Sequence, residues 1–306
     1  MDRKSIAVIV ACVAALILWQ FVIVPKYLPS RPIPHAATNA QNSAQSPVGT
    51  NAVTGSNNVA APATTSAGPS PQLEVNTNLS EQLVIVTNEN ARYTFTSYGG
   101  GLKLIELLHY PETVPSWRNK KAQAGGIASL NTYTPSPTLA ILGGAAVQGD
   151  GIFNLIRTTT GVRAEKTLTN GLIIVKDFAP TTNFLVNATV YLQNKSAQPL
   201  SLPEQEWTIG TATPMNPDDP GGPYLGLIWS DDHTHDTLGA SYFSSRGFGC
   251  VPKTPAVEYR ATQTNINWAA VHNQYFALAI DPKDNPAGVV MRQVNLPPPA
   301  DQDIKV

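Results

Sequence analysis

Residues 6–24 read IAVIVACVAALILWQFVIV, 19 residues without a charge and with Gln20 as the only sizeable polar side chain. As a helix this run spans about 28 Å, close to the hydrocarbon thickness of a bilayer. Lipid leaves a backbone no other way to satisfy its polar groups than a helix or a closed barrel. Trp19 stands near the far end and Tyr27 just past it, where interfacial aromatics belong. The run exceeds the apolar region of a cleaved signal, and Trp19, Gln20 and Phe21 interrupt any small-residue exit. Ile9-Val10-Ala11-Cys12 has the outline of a lipid-attachment site, but the apolar run continues well past Cys12. The expectation is an uncleaved signal anchor at 6–24, behind a short cytoplasmic tail at 1–5. Arg3, Lys4 and the amino terminus face Lys26 and Arg31 across it, a slight bias toward a cytoplasmic N-terminus.

Residues 25–80 contain eight prolines and much Ala, Ser, Thr and Asn, and Arg31 is the only formal charge between Tyr27 and Leu73. Such a stretch buries too little apolar surface to offset its ordering entropy. It is expected to be a disordered tether, with a reach on the order of 40 Å.

Residues 81–306 carry the folded domain. Setting aside Arg3, Lys4, Lys26, Arg31, Asp2 and Glu74, the remaining charges sum to −3. With 20 basic and 21 acidic residues overall, the chain lacks the basic surplus of a nucleic-acid binder. Two cysteines, Cys12 and Cys250, exclude a disulfide scaffold or a multi-cysteine zinc site. The pattern is β-like. Leu83–Val86 and Tyr93–Thr96 are separated by Asn88-Glu89-Asn90, and runs follow at 153–160, 162–169 and 172–178. Asn170-Gly171 is a hairpin signal. Phe184, Val186, Ala188, Val190 and Leu192 alternate as a long strand should. Leu102–Leu108 is the nearest approach to a helical period. The expected class is an all-β sandwich or barrel.

Few residues suggest chemistry. Asp231-Asp232-His233-Thr234-His235-Asp236 would place both histidines on one face of a strand, yet an exposed polar loop is the simpler reading. Residues 217–220 read as a turn rather than a calcium loop. Gly99-Gly100-Gly101 lacks a dinucleotide fingerprint and fits a bulge or tight bend. Cys250, with Lys253 as its only basic neighbour, reads as a structural thiol, and His109 and His272 as core-edge histidines. No catalytic residue, cofactor or metal is expected. Trp207, Trp229 and Trp268 are too dispersed in sequence to indicate an aromatic binding platform.

Three features together resemble the YidC membrane protein insertase family of Gram-negative bacteria. One is Met1-Asp2-Arg3-Lys4 leading into a Trp-terminated membrane run and a Pro-rich tether. Another is Tyr93-Thr94-Phe95-Thr96-Ser97-Tyr98-Gly99-Gly100-Gly101-Leu102 followed by Leu107-Leu108-His109-Tyr110-Pro111. The last is Trp268-Ala269-Ala270-Val271-His272-Asn273-Gln274-Tyr275-Phe276-Ala277. The resemblance implies a β-supersandwich similar in shape to galactose mutarotases, placed in the periplasm of an inner-membrane protein. The implied partners are the lipid bilayer, Sec translocon components and nascent membrane proteins. Family members continue into five further membrane helices that carry insertion, whereas these 306 residues hold no second apolar run of 18. The expectation is therefore an N-terminal, non-catalytic accessory portion whose shortened sandwich leaves an open, self-associating strand edge. The competing expectations are a tethered mutarotase-like enzyme, for which only His109, His233, His235 and His272 are available in the domain and none lies in a matching motif, and a tethered envelope-binding protein. Intact-mass analysis of the membrane fraction is expected to find residues 6–24 retained. A mature chain beginning between residues 25 and 45 would remove the anchor.

Overall fold

Short runs of β-branched and aromatic residues, punctuated by Asn, Gly and Asp, give short strands and tight turns. The computed structural model describes residues 71–113, 126–132, 134–215, 219, 224–231, 234–244, 254–261, 265–284 and 286–294. The expected membrane run, residues 25–70 of the expected tether, Asp232, His233, Cys250 and Lys253 lie outside the described residues.

The first sheet has strand order β1 (Leu83–Thr87), β2 (Ala91–Thr96), β3 (Gly101–Pro111), β4 (Ile127–Leu130). The turn into β2 is held by Asn88, whose Oδ1 accepts from the backbone N–H of Asn90 at 2.9 Å and of Ala91 at 2.8 Å. After β5 (Ile141–Leu142) and a single helical turn, α1 (Ala145–Gln148), a second antiparallel sheet follows. Its order is β6 (Asn154–Arg157), β7 (Val162–Thr167), β8 (Leu172–Pro180), β9 (Val186–Asn194). β10 (Glu206–Trp207) returns to pair with β5. All pairings are between antiparallel neighbours, and strand dominates the described residues, so the fold is all-β.

Alternation puts Ala91, Tyr93 and Phe95 of β2 inward, and Leu172, Ile174, Lys176 and Phe178 of β8 inward. These faces meet in one core, where the Phe95 and Phe178 rings lie 5.1 Å apart. Two sheets so stacked form a sandwich. A smaller core lies around Trp229 on β11 (Gly226–Ser230). That strand pairs with β12 (His235–Gly239), which leads into a 3-10 turn at Ala240–Phe243. After β13 (Glu258–Ala261), β14 (Trp268–His272) pairs with the other side of β11 and carries β15 (Ala277–Ile280) at its own far edge. β16 (Val289–Arg292) pairs with β13.

Three sequence expectations change in detail. The helix-like spacing of Leu102–Leu108 belongs to β3. Thr94 faces Leu104 and Phe95 faces Leu102, so Lys103 is an extra, bulged residue that breaks the period of two. The Asn170-Gly171 hairpin forms, but Gly171 alone has positive φ, 87°, at that turn, so it is not the mirror-image turn requiring two such residues. The domain boundary expected at 81 falls earlier. Gln148 accepts from the Glu74 N–H at 2.9 Å and donates to the Gln72 carbonyl at 3.1 Å. Asn76 N–H bonds to Asp150 O at 2.9 Å, tying residues 72–76 to the sandwich. Among the described residues no helix is long and apolar enough to cross a membrane.

Gly99 and Gly100, at φ 72° and 57°, turn the chain between β2 and β3. A methyl at Gly100 would overlap the Phe153 ring, whereas one at Gly144, also at positive φ, would meet open space. Gly100→Ala is therefore expected to lose roughly 2–4 kcal/mol and Gly144→Ala roughly 1–2. Urea unfolding of the full chain in detergent measures both, and equal losses would contradict this packing.

Candidate functional site

The alternation of β8 places a lysine where an apolar residue belongs. Lys176 is fully buried between Ile174 and Phe178 on the core face. Its Nζ donates to Gly99 O at 2.8 Å and to Leu139 O at 2.6 Å. Both acceptors sit in left-handed backbone, Gly99 at φ 72° and Leu139 at φ 64°. The latter is a rare conformation for a branched side chain. The Phe153 ring lies 4.5 Å from the ammonium and the Trp207 ring 5.8 Å away, offering π faces to the charged form. Burial, and then repulsion from Lys166, lower the Lys176 pKa to about 7. Lys166 is itself nearly buried, but it has an ion pair with Asp150 and donates to Ile152 O at 2.8 Å.

A second polar cluster lines a cavity of about 10 Å³, room for one water, between the β4 end and the β14–β15 turn. Asn131, buried at φ 60°, donates to Leu102 O and Lys103 O at 3.3 and 3.2 Å and accepts from Thr211 N–H at 3.1 Å. Asn273 accepts from the N–H groups of Tyr275 and Phe276, both at 2.9 Å, and donates to Thr213 O at 3.3 Å. It thereby shapes the turn that carries Gln274-Tyr275-Phe276. His272 lies 3.2 Å from Asn273 O through Nδ1. A carbonyl only accepts, so Nδ1 carries a proton, and the buried Nε2 has no hydrogen-bond partner. Gly226, opposite His272 in register, leaves space for the imidazole.

The sequence-derived candidates disperse. His109 is exposed at the end of β3, not at a core edge, because the bulge and the strand's length carry it past the sandwich; its Nε2 lies 2.8 Å from Glu89 O. Asp231 accepts from Thr234 N–H at 2.6 Å in a tight turn, and His235 begins β12 rather than continuing a loop. His235 faces Ser230 and His272 faces Gly226 across β11, about 13 Å apart along the strand direction, too far to act on one atom. Asp219 accepts from Met215 N–H at 3.1 Å. Among the described residues no three His, Cys, Asp or Glu side chains gather as metal ligands. Trp229 is core, Trp207 overlies Lys176, and the Trp268 ring lies 6.4 Å from that of His235.

Sequence reasoning also missed a charged clamp. Arg292 on β16 donates to both Glu206 oxygens, the Nη2–Oε1 distance being 2.8 Å, and through Nε to Glu258 at 2.6 Å. Arg260 also bonds Glu206 and Glu258. Burial opposes the Glu258 carboxylate, but bonds from Arg260 and Arg292 outweigh it and hold its pKa below the usual value. The clamp fastens the β13–β16 pair to β10. No protein-family profile matches the chain, and no curated protein matches it either.

Replacing Lys176 tests the junction. The unfolded chain keeps a lysine proton to about pH 10.4, whereas the folded one releases it near 7, so the unfolded state binds more protons between these values. Stability conferred by the neutral amine therefore rises with pH there. Against Lys176→Met, the wild type is expected to gain roughly 1.4 kcal/mol per pH unit between pH 7 and 10, and nothing further below 7. A difference independent of pH, read by urea unfolding, would contradict the assignment.

Proposed function

We propose that this chain is the anchored N-terminal portion of a YidC-type membrane protein insertase, its β domain lying in the periplasm of a Gram-negative cell. The observation that carries the reading is an all-β sandwich following, in sequence, a 19-residue uncharged apolar run and a Pro-rich segment. The residues that bear the resemblance occupy structurally demanding places. Tyr98–Gly100 make the turn between β2 and β3, and Trp268–Ala277 form β14 and the Asn273-braced turn into β15. In this reading the fold is the family's β-supersandwich, and the domain is an accessory beside the Sec translocon that assists insertion of nascent membrane proteins. The separation of His235 from His272 gives no support to a mutarotase-like acid–base pair.

The test uses the full chain in Gram-negative cells. Protease added to spheroplasts is expected to digest the domain, and protease added to intact cells to spare it. Translocon subunits are expected to co-isolate from mild-detergent extracts, and to be lost when residues 71–306 are deleted. A domain protected in spheroplasts, or translocon recovery unaffected by the deletion, would overturn the proposal.

A further inference from the structure

From Thr181 to Asn194 the chain has no charged residue, no histidine and no proline. This stretch contains β9, the last strand of the second sheet. Among the described residues β9 pairs only with β8. Edge strands are ordinarily guarded by charge, proline, a bulge or short length. The other edges have such guards. β1 lies against β6, where Arg157 donates to Ile85 O at 2.6 Å. β4 and β15 have four residues each, and β12 carries His235 and Asp236. β9 has nine residues in unbroken register with β8.

The flanking bonds reveal which backbone groups are free. Thr181 N–H bonds to Leu185 O at 2.7 Å and Lys195 N–H to Gly171 O at 2.9 Å. In an antiparallel ladder bonded pairs alternate, so odd-numbered residues of β9 bond β8. Val186, Ala188, Val190, Leu192 and Asn194 then turn their N–H and C=O groups outward. Their side chains share the face of Ile174 and Phe178, yet Leu192 is 40% exposed; on the opposite face Tyr191 is 56% exposed.

We propose that β9 pairs antiparallel with β9 of a second copy, about a two-fold axis at Val190. Val190 is the midpoint of the strand and its backbone faces outward, so this axis overlaps the strands along their whole length. Val190 then meets Val190, Ala188 meets Leu192, and Val186 meets Asn194. Each of these residues turns outward a backbone donor and acceptor that have no partner among the described residues. No like charges meet, and the apolar faces join into one stripe continuous across both sheets. A charged partner strand would find no counter-charge here, whereas an identical strand is matched in length, polarity and register.

Disulfide trapping tests this in the full-length chain in its native membrane, carrying Cys12→Ser and Cys250→Ser. Across the axis the Val190 Cα atoms would lie about 5.5 Å apart, within disulfide range, whereas two Thr189 positions are about 7–8 Å apart and on the other face. Mild oxidation is expected to give Val190→Cys about tenfold more covalent dimer than Thr189→Cys. Ala188→Cys and Leu192→Cys are expected to dimerise only when co-expressed with each other, and adding Val190→Lys to that pair is expected to abolish the product. Equal trapping of Val190→Cys and Thr189→Cys, a homodimer of Ala188→Cys alone, or crosslinking of Val190→Cys only to a different protein would each overturn the proposal.

Discussion

A lysine removed entirely from water holds the larger core together. Lys176 Nζ bridges the carbonyls of Gly99 and Leu139, two residues held in left-handed backbone by the turn after β2 and the approach to β5. Its strand, β8, lies in the opposite sheet. The same atom therefore fixes the separation of the sheets and satisfies two carbonyls that the turns have taken out of any ladder. A buried, unmade hydrogen bond costs more than a made one contributes, so such a residue constrains more than it stabilises. Phe153 and Trp207 complete the enclosure. Phe153 also occupies the space left by Gly100, so turn geometry, ring position and lysine placement depend on one another.

Charge fastens the periphery by a different device. The Arg292 guanidinium forks across Glu206 and reaches Glu258, linking β16, β13 and β10. Asn131, bonded to β3 and to Thr211, and Asn273, at the β14–β15 turn, do comparable work with neutral amides. None of these groups presents a nucleophile beside a base, or paired carboxylates facing a cleft. Their polar atoms are directed at backbone and at one another.

Much of the strand pattern was legible because period-two alternation survives in short runs. β7 and β8 and the turn at Asn170-Gly171 are plain in the sequence. β3 was obscured by the bulge at Lys103, one extra residue that makes Leu102, Leu104, Ile105, Leu107 and Leu108 look neither helical nor extended. β9 was legible as a strand, but its face was not. Alternation marks Val190 and Leu192 as inward, and only the sheet order reveals that they lie at an edge beyond the covering sheet. Lys176 left a trace, since it stands in phase with Leu172, Ile174 and Phe178. A cation at a core phase is a signal of burial, but its acceptors, 77 and 37 residues away, depend on backbone angles that composition does not encode. Glu206 and Arg292, 86 residues apart, gave no local sign of their pairing.

The dependence of the sandwich on this lysine is most directly tested by lysine-selective nitrogen-15 NMR of the side-chain amines at pH 6. The structure predicts one Nζ resonance whose protons exchange slowly with water, are displaced by the Phe153 and Trp207 ring currents, and show cross-relaxation to the Phe153 ring. The signal should vanish in Lys176→Met. Lysine signals that all exchange rapidly at the position of exposed side chains would contradict the account.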